Sequence, residues 1–177
     1  MSTPRVHIQH RKTIYRGRVF QLIREALTMD GVAMVRETIV HPGAVVIVPL
    51  LDRSHIVFVR QYRHAVKKDL LELPAGTLKR GEPLVHCARR ELAEETGWAP
   101  GRLQRIGRFY AAPGYTNEQL TVFLARDLTP AEARSDEDEF VTPVTLTFRT
   151  AMAKIDAGHI CDAKSIIGII LAQRFLA

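Results

Sequence analysis

Residues 76–98 read GTLKRGEPLVHCARRELAEETGW, and the order of charge and apolar residues within them organises everything around it. Pro83 to Thr96 has helical periodicity, with proline in the first turn and Gly97 as a natural stop. On a wheel of about 100° per residue, Leu84, Val85, Ala88 and Leu92 form an apolar stripe, and His86, Arg89 and Arg90 face away from it. Glu91 and Glu95 fall inside or beside the stripe, and Glu94 sits at its edge. A helix that turns carboxylates toward its own core side breaks the amphipathic rule. Burying them without a positive partner is costly. Glu91 and Glu95 are four residues apart, so one lies above the other on a single face. The positive charge that meets them is either a metal ion or a basic side chain such as Arg89, Arg90 or a distant lysine. A divalent ion that takes oxygen ligands beside phosphate would be Mg²⁺ or Mn²⁺. Gly76 and Gly81 bracket a tight loop into the helix, which can carry backbone carbonyls next to its acids.

Outward from this segment, strands dominate. Residues 44–51, AVVIVPLL, form a continuous apolar run that predicts a strand buried on both faces. After the turn Asp52-Arg53-Ser54, Ile56 to Tyr62 reads as its hairpin partner, and Leu70 to Leu73 as a short strand ending at Pro74-Ala75-Gly76. Strands are expected at Leu103 to Tyr110, Gln119 to Ala125 and Val141 to Phe148, and helices at Thr150 to Ala157 and Ala163 to Phe175. Ala131 to Glu139 reads as an exposed acidic loop. Upstream, Val19 to Leu27 and Ala33 to Val40 flank the turn Met29-Asp30-Gly31 as a hairpin, separated from the rest by His41-Pro42-Gly43. Many strands with two or three helices, not in strict alternation, indicate an α/β protein with a mixed sheet between helices.

The formal net charge of +6 favours anionic ligands. The densest basic run, His7 to Arg18, lacks the interleaved aromatics of a single-strand binder, so nucleic acid is not the expected partner. Cys87 and Cys161 belong to no CxxC pair and read as two small buried thiols in a reducing compartment. No signal peptide is visible, and no apolar stretch is long enough to span a bilayer. A cytoplasmic, membrane-free protein is the expectation.

The segment also has the spacing G-x5-E-x7-R-E-L-x-E-E-x-G-W, set by Gly76, Glu82, Arg90, Glu91, Leu92, Glu94, Glu95, Gly97 and Trp98. This matches the Nudix box at every fixed position, and the chain resembles the Nudix hydrolases. The resemblance implies a Nudix fold: an α/β/α sandwich around a mixed sheet, plus a small N-terminal antiparallel sheet. It implies Glu91 and Glu95 as principal metal ligands and Glu94 as a further ligand or base. Gly76, Glu82, Arg90 and Gly97 would support the box, Arg90 by pairing with a carboxylate.

Glu72-Leu73-Pro74-Ala75-Gly76 and Pro113 resemble the ADP-ribose pyrophosphatase subfamily, although Ala112 stands where serine is frequent. The likeness implies the Ala75 carbonyl in the metal shell. Arg60-Gln61-Tyr62-Arg63 is similar to the subfamily's RQYR stretch, so Arg63, then Arg60, would contact phosphate or the terminal ribose phosphate. Arg36, Pro113 and Glu118 would also lie on the substrate side. The acidic loop would supply the base, Glu137 before Glu139. Asp162-Ala163-Lys164-Ser165 matches the opening of the last helix and reads as a cap, not as catalysis. Residues 1–40 resemble the sheet with which these enzymes form swapped homodimers, leaving 41–177 as the hydrolase domain. The implied activity is metal-dependent hydrolysis of a nucleoside diphosphate sugar, ADP-ribose to AMP and ribose 5-phosphate. GDP-mannose, or a non-catalytic module that senses ADP-ribose, is the alternative.

Overall fold

In the computed structural model, residues 3–132 and 140–175 are described. The chain forms two compact units, 1–43 with 110–119, and 44–109 with 120–177.

The first unit is built on three antiparallel strands in the order β1-β2-β3: β1 (Val6–Arg16), β2 (Gln21–Met29) and β3 (Val32–Val40). The turn between β2 and β3 places Asp30 and Gly31 at positive φ. β1 lies where the sequence showed only a basic run. All eleven of its residues are exposed, so no apolar alternation marks it as a strand.

The larger unit has two sheets. One has the order β10-β5-β6, from β5 (His55–Arg63), β6 (Lys68–Glu72) and β10 (Val141–Thr147), all antiparallel. The other has the order β7-β4-β9-β8, from β4 (Ala44–Pro49), β7 (Ala75–Thr77), β8 (Trp98–Tyr110) and β9 (Gln119–Pro130). β4 runs parallel to β9 and antiparallel to β7, so this sheet is mixed.

β4 explains the layering. All six of its residues are buried, and alternate side chains enter different cores. Ala44, Val46 and Val48 join Leu73, Val122 and the α3 residues Ile169 and Ala172. Val45 and Ile47 join Phe123 and the α1 residues Cys87, Ala88 and Leu92. Thus α1 (Leu84–Thr96) and α3 (Ala163–Gln173) cover opposite faces of one strand, with α2 (Phe148–Asp156) on the α3 side. Each valine or isoleucine buried in this way stabilises the fold by about 1.5–3 kcal/mol.

Two local expectations need correction. Val85, placed in the apolar stripe, is exposed; Cys87, Ala88 and Leu92 carry the core face instead. β8 begins at Trp98, earlier than expected, running straight through Pro100 and Gly101.

Candidate active site

α1 starts after Pro83, whose carbonyl accepts the His86 and Cys87 N–H groups. It stops at Gly97, which takes φ 72° and donates its N–H to the Ala93 carbonyl. Between these ends, Glu91 and Glu95 are buried on the side turned to the β7 loop, 8 % and 7 % exposed. Glu95 accepts the Ala75 N–H at 3.1 Å. Glu91 lies against Gly76 so closely that any side chain there would overlap its carboxyl group.

Arg90 binds the acids together. Its Nε donates to Glu82 Oε1 at 2.9 Å, and its Nη1 lies 2.8 Å from Glu94 and 2.7 Å from Glu91. These partners hold the guanidinium above its ordinary pKa, with the Glu82 hydrogen bond contributing most. In return, that hydrogen bond draws the Glu82 carboxyl down to about 2. Glu82 also closes the loop on itself, accepting the Lys79 N–H at 3.0 Å. Beneath Arg90, burial pushes the Cys87 thiol up to about 12, so it stays protonated with its sulfur near the Gly76 and Thr77 carbonyls. Cys87 is the small buried thiol expected from the sequence, whereas Cys161, expected to be buried as well, is exposed.

Arg63 ends β5 and forms a two-point pair with Glu72, Nε to Oε1 at 3.0 Å and Nη2 to Oε2 at 2.6 Å. Glu72 is also bonded by Lys164, 92 residues away along the chain. The α3 cap is present: Asp162 accepts the Ser165 N–H at 3.1 Å. Arg60, on the same strand as Arg63, is exposed.

In the N-terminal unit, Arg36 is exposed on β3 opposite Glu25 of β2. Glu118 lies 3.7 Å from the His41 ring. Pro113 lines a cavity of about 290 Å³ with Tyr110, Tyr115 and Thr38. Glu137 and Glu139 lie outside the described residues.

The carboxylates suit a divalent metal by their chemistry. They are oxygen donors, two of them are buried one helical turn apart, and the bare backbone of Gly76 admits one of them. Among the described residues, no three His, Cys, Asp or Glu side chains already converge into a metal site. Among the same residues, no helix is long and apolar enough to cross a membrane.

Comparison with known proteins shows what the chain is similar to. The chain is 36 % identical to an ADP-ribose pyrophosphatase of Bacillus subtilis over 166 residues, 92 % of this chain and 90 % of that one. It is 36 % identical to a methanol dehydrogenase activator of Bacillus methanolicus, over 90 % of this chain and 88 % of that one. The crystal structure of an ADP compounds hydrolase superposes with a TM-score of 0.87 at 27 % identity, over 99 % of this chain and 95 % of that one. A profile of the NUDIX domain matches residues 40–162, the span that contains the Gly76 loop, α1 and the strands around them. With the box intact in sequence and folded as loop and helix, the chain belongs to the Nudix family.

Proposed function

We propose that this protein hydrolyses the pyrophosphate bond of a nucleoside diphosphate sugar, with ADP-ribose as the preferred substrate and AMP and ribose 5-phosphate as products. The observation that supports this most is the burial of Glu91 and Glu95 on the helix face beside Ala75 and Gly76. The names of the relatives point to the same substrate class.

Nudix hydrolases generally need a divalent metal. The residues that would hold it here are Glu91, Glu95, Glu94 and the Ala75 carbonyl, and Mg²⁺ or Mn²⁺ suits that oxygen set. Such an ion supplies positive charge against the diphosphate oxygens and makes a water molecule more acidic. Water adds to one phosphorus, the bridging P–O bond breaks, and the water's proton passes to a base. Glu137 is the base in this proposal, with Glu139 or Glu94 as its alternates. Arg63 and Arg60 hold phosphate oxygens with charge-assisted hydrogen bonds. Arg36, Pro113 and Glu118 act on the substrate side, and Glu82, Arg90, Gly76 and Gly97 keep the box in shape. Residues 1–40 would pair two copies into a homodimer, residues 41–177 would form the hydrolase domain, and the protein would work in the cytoplasm.

A second role, acting on a partner enzyme, draws on the relative named as a methanol dehydrogenase activator. Incubation of the purified protein with ADP-ribose and MgCl₂ separates the two. Release of AMP and ribose 5-phosphate without any partner is the expected result, and the kcat/KM for ADP-ribose should exceed that for GDP-mannose. Glu95→Gln should lower turnover by more than about a hundredfold while the fold persists. An unchanged rate in that variant would remove the carboxylates from the chemistry.

A further inference from the structure

The end of β6 and the start of α3 are joined by consecutive contacts that the reaction above does not use. Lys164 Nζ bonds to Glu72, and the next residue, Ser165, accepts the Leu73 N–H at 2.7 Å. Asp162 holds Lys164 from behind at 2.9 Å. Arg63 also places its Nε and Nη2 on the two Glu72 oxygens at 3.0 and 2.6 Å. Glu72 is therefore a carboxylate removed from water, 1 % exposed, and paired with two cations that share its Oε2.

One cation would be enough to offset the charge of Glu72. The second leaves the four groups neutral together, two positive and two negative. A guanidinium is a planar fork with two usable edges. Glu72 occupies the Nε–Nη2 edge of Arg63. The outer Nη1–Nη2 edge, with one proton left on each nitrogen, has no hydrogen-bond partner among the described residues, and the side chain is 39 % exposed. The hydrogen bond to Glu72 is the main reason that Arg63 is held firmly charged, and the Glu95 carboxylate of the candidate site adds attraction.

We propose that Glu72 is a positioning residue: it clamps the inner edge of Arg63 so that the outer edge is presented, already oriented, to a substrate diphosphate. Lys164 is the counter-charge that keeps Glu72 ionised and in place. This rests on the function proposed above, and it adds a fixed bidentate anion receptor whose geometry is set from α3. Ordering the fork before binding lowers the entropy lost when phosphate arrives.

The test is steady-state kinetics with ADP-ribose and Mg²⁺ on the full chain, for Glu72→Gln, Arg63→Ala and the double variant. Each single change should raise KM by about tenfold, the weight of a charge-assisted hydrogen bond, with kcat within about twofold. The double variant should be no worse than Arg63→Ala alone. Arg63→Lys keeps a cation beside Glu72 without the fork, so its KM should rise as in Arg63→Ala; it carries the test if Glu72→Gln does not fold. A wild-type KM in Glu72→Gln or Arg63→Lys overturns the proposal. So does an effect of Glu72→Gln that persists undiminished on top of Arg63→Ala. If the wild-type protein turns over no diphosphate sugar, the functional proposal fails, and calorimetric Kd values for ADP-ribose then read the same comparison.

Discussion

A Cβ placed on Gly76 would stand 1.8 Å from the Glu91 carboxyl carbon, so the bare backbone of this glycine is what admits that carboxylate. Gly76 is not among the glycines at positive φ, so close approach and not turn geometry requires it.

Gly76→Ala should therefore act on chemistry more than on stability. The atoms that clash, Cδ, Oε1 and Cγ, belong to one flexible side chain, and Glu91 can swing aside while α1 stays in place. Turnover of ADP-ribose should fall about a hundredfold, the usual penalty for a misplaced group, while the melting temperature changes little. Kinetics and a thermal melt on the same preparation check both halves. Full activity would show that Glu91 works from another position.

Acid should expose the Glu82–Arg90 pair. The folded pKa of Glu82 is depressed from its ordinary 4.5 to about 2, chiefly by Arg90. Its contribution to stability is thus complete above about 4.5 and is lost as pH falls toward about 2. Across that window the unfolded chain binds more protons, so stability rises with pH. Glu82→Gln should reduce this slope, and buried Glu72, also held below its ordinary value by Arg63 and Lys164, should leave part of it. Denaturant melts at a series of pH values check this; an unaltered slope in Glu82→Gln would mean the pair contributes nothing to folding.

The two thiols should differ in reactivity. Cys87 is buried with its pKa pushed up to about 12, whereas Cys161 is exposed. An aromatic disulfide reagent should label Cys161 alone in the native protein, without loss of turnover, and label both after denaturation. Two thiols reacting at similar rates in the native state would contradict the packing of α1 on β7.

The readable part of the sequence was whatever obeyed a short-range rule. The box fixes Glu82, Arg90, Glu91 and Glu95 within one loop and one helix, where spacing alone decides who shares a face. The apolar run of β4 showed its two-sided burial directly. Other features escaped for physical reasons. β1 has no buried side, so its residues follow no alternating pattern. Val85 lies only at the rim of the wheel's buried arc, which centres on Cys87, Ala88, Glu91, Leu92 and Glu95, so it stays exposed. Glu72 belonged to a motif with no assigned task, since its partner Lys164 lies 92 residues further along and no local pattern reports such a pairing.

The bond from Leu73 to Ser165 spans 92 residues as well. During synthesis, the segment with all the box glutamates leaves the ribosome long before the helix that steadies its approach strand has been made. Contacts this distant along the chain form late and slow folding. A nascent chain paused between these points would carry the box acids without their brace.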